Sequence, residues 1–372
     1  MPFDPYRRAN PSVLDIAPYV PGKSLEEARE ESGRDHVIKL ASNENPLGAS
    51  PAAVAAIRDA LDLSHRYVES STRQVRERLA TLLDLTPEHL IAGNGSDALL
   101  LAAAMAFLHA SDEVIVPEVT FSMYEIVART MGARVVRSAM DGMAIDVNAI
   151  LEKVTAATKA VFLCNPNNPT GTLIDERRFA ELLAALPDDV LLIHDEAYAD
   201  FADPALRPDT VGRVRDGVSN LVVTRTFSKS HGLAGVRFGF ACGDPRVIDL
   251  MHRVRPPFDL SVTAQAAGLA AADDREFLRR TLQVNRDGKE QLTAGFDALG
   301  LPFVPTHTNF IMVRLGERAS TVADALLQRG LVVRCWTRPA ALADWLRITI
   351  GTGPENRSLL AGLADVLAPR GP

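Results

Sequence analysis

The stretch Thr226-Phe227-Ser228-Lys229-Ser230-His231-Gly232-Leu233-Ala234-Gly235-Val236-Arg237 sets a lysine in a turn of small and hydroxylic residues, with an arginine eight positions on. Small flanks let a bulky ligand approach the backbone closely. The hydroxyls of Thr226 and Ser228 and the fork of Arg237 suit a phosphate. A lone lysine is ordinarily a solvated surface charge. A lysine beside a phosphate cradle is instead what a pyridoxal phosphate Schiff base requires.

That chemistry makes further demands, and three other segments answer them. A pyridine ring acts as an electron sink only if a carboxylate keeps its nitrogen protonated. Asp195 in Asp195-Glu196-Ala197-Tyr198 follows an apolar run at 190–194, and Tyr198 offers a phenol three residues on. Asn165-Pro166-Asn167-Asn168-Pro169-Thr170-Gly171 follows another apolar run and has the composition of a rigid turn. Its Asn168 can donate an amide N–H to the ring's phenolate oxygen. Gly93-Asn94-Gly95-Ser96-Asp97 opens an apolar helix, where free N–H groups and the helix dipole favour an anion. Each segment alone reads equally well as a plain turn or cap.

The elements that must position these residues follow from the pattern of the chain. Short β-branched runs at 90–92, 113–116, 134–136, 160–164, 190–194, 221–225 and 238–242 predict strands. Helical stretches at 52–61, 75–83, 98–109, 122–131, 147–154, 175–185 and after Pro245 lie among them. Such alternation predicts an α/β fold with a mainly parallel seven-stranded sheet covered on both faces. In such sheets ligands sit at the carboxyl ends of the strands, where the four segments fall. After Pro256-Pro257 the pattern changes to one long helix over 264–294, strands near 303, 309–314, 331–334 and 346–349, and helices at 319–329 and 356–367. This predicts an N-terminal arm over 1–35, with a helix near 24–32, a large cofactor-binding domain over 36–257 and a small α+β domain over 258–372.

Composition excludes several classes. With 372 residues, 47% hydrophobic and 23% charged, the chain is globular rather than disordered. A net charge of −7 argues against a nucleic-acid or anionic-membrane surface. The three cysteines, Cys164, Cys242 and Cys335, are far apart, and none stands at metal-ligand spacing. The longest apolar run, 99–108, is too short to span a bilayer. Met1-Pro2-Phe3-Asp4-Pro5 has neither a basic nor an apolar leader region, which predicts a cytoplasmic protein.

Taken in order, these motifs resemble the fold-type I pyridoxal-phosphate-dependent aminotransferases, and the resemblance covers essentially the whole chain. Asn43-Glu44-Asn45-Pro46, Pro18-Tyr19-Val20-Pro21-Gly22-Lys23, His65-Arg66-Tyr67, Thr120-Phe121-Ser122-Met123-Tyr124 and Arg347-Ile348-Thr349-Ile350-Gly351-Thr352 are similar to the histidinol-phosphate aminotransferase branch of the class II family. The resemblance implies that Lys229 holds the Schiff base, Asp195 the ring nitrogen, and Tyr198 and Asn168 the phenolate oxygen. Phe121 would stack on the ring. The backbone groups of Ser96 and Asp97, with Thr226, Ser228 and Arg237, would bind the phosphate, and Tyr67 would reach it from a second subunit of a homodimer. Tyr19, Asn43, Asn168 and the pair Arg334 and Arg347 would bind substrate.

It further implies a ping-pong transamination from histidinol phosphate to 2-oxoglutarate in histidine biosynthesis. An aromatic aminotransferase, a phosphothreonine-type decarboxylase and a non-catalytic module of the same fold are the alternatives. Arg66-Tyr67-Val68-Glu69-Ser70, Phe258-Asp259-Leu260-Ser261 and Thr306-His307-Thr308-Asn309-Phe310 depart from the usual family wording. These departures bear on the amino donor rather than on the cofactor chemistry.

Overall fold

Parallel strands need long crossover connections, and helices between short apolar runs supply them. The computed structural model describes residues 2–368. Its strands, in chain order, are β1 (Ile38–Leu40), β2 (Leu90–Asn94), β3 (Glu113–Pro117), β4 (Arg134–Ser138), β5 (Met140–Asp141), β6 (Ala144–Ile145), β7 (Thr158–Cys164), β8 (Leu191–Asp195), β9 (Leu221–Thr226), β10 (Phe238–Gly243), β11 (Phe310–Arg314), β12 (Leu331–Cys335) and β13 (Trp345–Thr349). The seven-stranded sheet has the order β2-β10-β9-β8-β7-β3-β4. Its strands are the seven predicted ones. All neighbours pair in parallel except β10, which runs antiparallel to both β2 and β9. The carboxyl ends of β2, β7, β8 and β9 therefore share one edge.

Alternation along β7 shows why the sheet is buried on both sides. Ala160, Phe162 and Cys164 join one apolar layer, while Val161 and Leu163 join the other. Every one of these residues is buried. A second sheet has the order β1-β12-β13-β11 and packs on a core that includes Leu292, Phe296, Leu326 and Leu359.

Several boundaries differ from those the sequence predicts. Ile38–Leu40, inside the expected large domain, pairs in parallel with Leu331–Val333 of the second sheet. Three residues carry too little periodicity to reveal such a partner. The long helix expected over 264–294 is two helices, Val262–Asp273 and Arg275–Ala298. They part at Asp274, whose carboxylate accepts the Phe277 N–H at 3.1 Å and the Ser50 hydroxyl at 2.5 Å. The first of these helices lies beyond the expected boundary at 257/258. Its Ala264, Ala267 and Ala271 nevertheless join the core under the large sheet.

Near 303 there is a single bridge, Phe303 to Val313, rather than a strand. The arm carries the expected helix, Leu25–Ser32, with a Ser24/Glu27 capping box, and two short helices, Pro5–Arg8 and Pro11–Leu14. It is pinned by Ala28, which packs with Ala41, Leu327 and Val332.

Contact between the Val262–Asp273 helix and the sheet depends on one missing side chain. A Cβ built on Gly268 would fall against the ring of Phe238, which is itself fully buried and cannot swing aside. Gly268→Ala is therefore expected to destabilise the chain by about 1–3 kcal/mol. Equilibrium denaturant unfolding checks this, and an unchanged midpoint would contradict it.

Candidate active site

All of the residues singled out from the sequence except Tyr67 line one cleft of about 220 Å³ at the carboxyl edge of the large sheet. Lys229 sits just past β9, on a turn fixed from several sides. Asn45 Nδ2 donates to the carbonyls of Lys229 and Ser230, at 3.2 and 3.1 Å. Ser230 Oγ donates to Asp200 at 2.5 Å. Gly232 takes φ +69° directly against the Gly48 backbone, where no side chain fits. The Lys229 ammonium has only a long contact, 3.4 Å, to the Ser42 carbonyl, and lies 5.9 Å from the centroid of the Tyr198 ring. Burial, reinforced by the nearby Arg347 charge, pushes its pKa down to about 8.

Asp195 ends β8 with its carboxylate buried. It accepts from Tyr124 Oη at 2.8 Å, Thr224 Oγ1 at 3.1 Å and the Ala197 N–H at 3.1 Å. No cation pairs with it among the described residues. Burial raises its pKa to about 6 in spite of these donors. The next residue, Glu196, has the opposite fate. Burial is the largest single influence and pushes it up, but Arg225, whose Nε donates at 2.7 Å, together with His194 and Thr210 outweighs burial and holds the carboxyl well below the usual range. Of two adjacent carboxylates, one is thus locked in an ion pair and the other is left to meet a cation in the cleft. Burial and the charge of Asp195 drive the Cys164 thiol up, which removes it as a nucleophile.

The phosphate-like end is built from backbone approach. Gly95 opens the Gly95–Phe107 helix at φ +79°, and a Cβ there would collide with the Arg237 guanidinium. A Cβ at Gly239 would lie 2.8 Å from the Ser96 nitrogen. Arg237, itself at φ +63°, is 3.2 Å from Asp97, and Thr226 Oγ1 donates to Ser228 Oγ at 2.8 Å. A left-handed arginine and two glycines so placed bring N–H groups, hydroxyls and a guanidinium to one point.

Opposite Lys229 stands Arg347, on β13. It donates to Asn168 Oδ1 at 2.6 Å and to the Ala41 carbonyl at 2.9 Å, and its buried Nε has no partner. No carboxylate pairs with it among the described residues. Arg334, on β12, donates to the Val20 and Pro21 carbonyls of the arm, both at 2.9 Å. Asn43, at φ +54°, donates to Tyr198 Oη at 2.9 Å, and Phe121 lies edge-on to Tyr124. Tyr19, Phe121, Asn168, Arg334 and Arg347 also border a wider cleft of about 650 Å³ under arm residues 15–20.

Tyr67 is 86% exposed and packs tilted against Phe258, with ring centroids 4.7 Å apart, outside the cleft. Tyr124 and Thr224, which hold Asp195, went unassigned in the sequence. Tyr124 is part of a motif quoted there, but nothing local marks it as the partner of a carboxylate 71 residues away.

A lysine and an unpaired carboxylate at the carboxyl edge of a seven-stranded sheet, beside an anion cradle, define an amino-group-transferring enzyme of fold type I. The chain belongs to the family described as aminotransferase class I and II, whose model matches residues 35–363. Among its relatives, the histidinol-phosphate aminotransferase of Moorella thermoacetica is 40% identical over 96% of this chain and 92% of its own. That of Symbiobacterium thermophilum is 42% identical over 96% and 98%. The Sinorhizobium meliloti histidinol-phosphate aminotransferase, solved in complex with pyridoxal-5′-phosphate, superposes with a TM-score of 0.88 at 26% identity, covering 96% of this chain and 97% of that one.

The lysine's environment yields a measurable pH dependence. With its pKa lowered to about 8, Lys229 is neutral and nucleophilic above that pH, while ordinary lysines stay protonated to ~10.4. In the ligand-free chain, trace acylation read by peptide mass spectrometry should give Lys229 a half-maximal rate near pH 8. Because Arg347 helps to lower that pKa, Arg347→Met should move the midpoint upward. A midpoint that stays put in the variant contradicts the coupling.

Proposed function

We propose that the chain transfers the amino group of histidinol phosphate to 2-oxoglutarate, using pyridoxal phosphate, in histidine biosynthesis. The observation that carries this reading is Arg347, a largely desolvated guanidinium with a buried Nε, lining the same cleft as Lys229 and paired with no carboxylate among the described residues. A buried, unpaired cation is costly and calls for an anionic substrate. The names of the relatives supply the identity of that substrate.

The residues fit the cofactor. Asp195 offers an unpaired buried carboxylate to a protonated ring nitrogen, and Tyr198 and Asn168 offer donors to the ring's phenolate oxygen. The backbone N–H groups of Ser96 and Asp97, with Thr226, Ser228 and Arg237, would hold the phosphate where Gly95 and Gly239 keep the backbone close. Phe121 would cover the ring face. When bound, the cofactor supplies an aldehyde to receive the amino group and a ring that delocalises the electrons of the broken Cα–H bond.

With the cofactor bound, Lys229 Nζ would take up the substrate's Cα proton and release it again within the cleft. Its pKa near 8 suits it to act both as base and as acid. Asp195 would keep the ring nitrogen protonated. Arg347 and Arg334 fix the substrate phosphate in one half-reaction and a carboxylate of 2-oxoglutarate in the other; a guanidinium fork matches both. Tyr19 and Asn43 complete that wall of the cleft. The working unit is a homodimer. Tyr67, Phe258, Leu61 and Leu63 are exposed apolar residues that a second copy would cover. This would bring Tyr67 of the partner subunit to the phosphate. A cytoplasmic setting, where free Cys164, Cys242 and Cys335 stay reduced, accords with this chemistry.

A single-turnover experiment tests the reading. Cofactor-loaded protein mixed with histidinol phosphate, and no acceptor, should yield about one equivalent of oxo product per site. Phenylalanine, tyrosine and phosphothreonine should give far less. A larger yield from any of these would reassign the donor. Lys229→Ala should lower turnover by about 10²–10⁴-fold or more while still binding the cofactor. Turnover at the parent rate would refute the role of Lys229. Arg347→Ala should raise KM at least about tenfold for both histidinol phosphate and 2-oxoglutarate. A rise for only one of them would refute the shared anion site.

A further inference from the structure

We propose that Trp336 is a positioning residue that holds Arg334 and Arg347 together as one anion-reading pair. The two arginines are direct cross-strand partners in the antiparallel pairing of β12 with β13. Like charges set opposite one another on adjacent strands repel. Among the described residues no carboxylate pairs with either arginine to offset that repulsion. The acceptors of both guanidiniums are neutral: the Val20 and Pro21 carbonyls for Arg334, and the Ala41 carbonyl and Asn168 Oδ1 for Arg347. Trp336 supplies the missing negative potential. Its ring centroid lies 5.5 Å from the guanidinium carbon of Arg334 and 5.5 Å from that of Arg347. Phe310 also faces Arg347, at 5.2 Å, but has no such contact with Arg334.

The indole is well placed for this because it is fixed from behind. It packs against an apolar cluster of Val119, Val304, Met312 and Leu342, together with Trp345. That packing restrains the ring, and each guanidinium is drawn to the same indole. In the substrate-free enzyme this keeps two unneutralised cations converged on one point. When a phosphate or carboxylate arrives, both guanidiniums are already converged, and only their neutral hydrogen-bond partners have to be exchanged. The proposal rests on the assignment of Arg334 and Arg347 as the site for the substrate anion.

Fluorescence tests it without turnover. The chain has two tryptophans, so Trp345→Phe leaves Trp336 as the single emitter. Inorganic phosphate titrated into that variant should change the emission saturably, and Arg347→Ala added to it should abolish the change. In steady state, Trp336→Leu should raise KM for histidinol phosphate and for 2-oxoglutarate by about five- to tenfold. Its kcat should remain within about twofold of the parent, and Trp336→Phe should recover most of the loss. An unchanged KM in Trp336→Leu, or a loss confined to kcat, overturns the proposal. Should Trp336→Leu fail to fold, the phosphate titration and Trp336→Phe decide. Phosphate that competes with substrate yet leaves the emission unchanged overturns the role of Trp336 and leaves the two-arginine site standing. Phosphate that does not compete, with Arg347→Ala behaving like the parent, removes the arginine assignment and this proposal with it.

Discussion

A lysine that must lose its proton near neutral pH and a guanidinium that must keep its charge share one desolvated cleft, and each condition supports the other. Burial penalises both cations, but arginine holds its proton far more strongly than lysine. The penalty therefore falls on Lys229, whose pKa drops to about 8 with Arg347 adding to the effect. Were Arg347 paired with a carboxylate, its field at Lys229 would be cancelled and its fork would be closed to substrate. On the proposed function, the absence of an acidic partner would serve proton transfer and anion binding together.

The same low dielectric explains how two adjacent acids diverge. Asp195 and Glu196 differ by one residue at the end of β8. Glu196 is consumed by Arg225 and Thr210. Asp195 receives only neutral donors, and Tyr124, Thr224 and the Ala197 amide orient it without neutralising it. Those donors come from a helix, from the neighbouring strand β9 and from the turn after β8 itself. The carboxylate's position therefore depends on the sheet register, which pairs Asp195 directly with Thr224. A slip of one residue would turn Asp195 away from the cleft.

How much of this could be read from the chain depended on how local each signal is. Lys229, Asp195, Asn168 and the Gly95 turn each follow an apolar run, and parallel α/β sheets gather such positions at one edge. The cofactor end of the candidate site was legible on that ground, whereas Tyr19, Asn43, Phe121, Arg334 and Arg347 were marked only by the family resemblance. Its supporting residues were less so. Tyr124 on a helix, and Trp336 just after β12, look like ordinary aromatic packing until the fold sets them beside a carboxylate and two guanidiniums. Boundaries failed for related reasons. β1 is too short to show periodicity, and the break between the two helices at Asp274 depends on a hydroxyl from Ser50, more than two hundred residues away.

Net charge marks the limit of composition as evidence. At −7 overall the chain is acidic, yet its cleft collects Arg237, Arg334 and Arg347 against one carboxylate, Asp97, at salt-bridge distance. Bulk charge governs what approaches from afar; screening leaves the last several ångströms to the local arrangement. In that arrangement Arg237 is partly neutralised by Asp97 and sits where a resident group would stay bound. Arg334 and Arg347 are offset only by carbonyls, an amide oxygen and aromatic faces. These neutral partners can be exchanged for an incoming anion without leaving a charge stranded. A cation tied to a carboxylate suits retention, and one tied to neutral dipoles suits exchange. A site that must take up one anion, release it and accept another requires the second kind at the wall where substrates turn over.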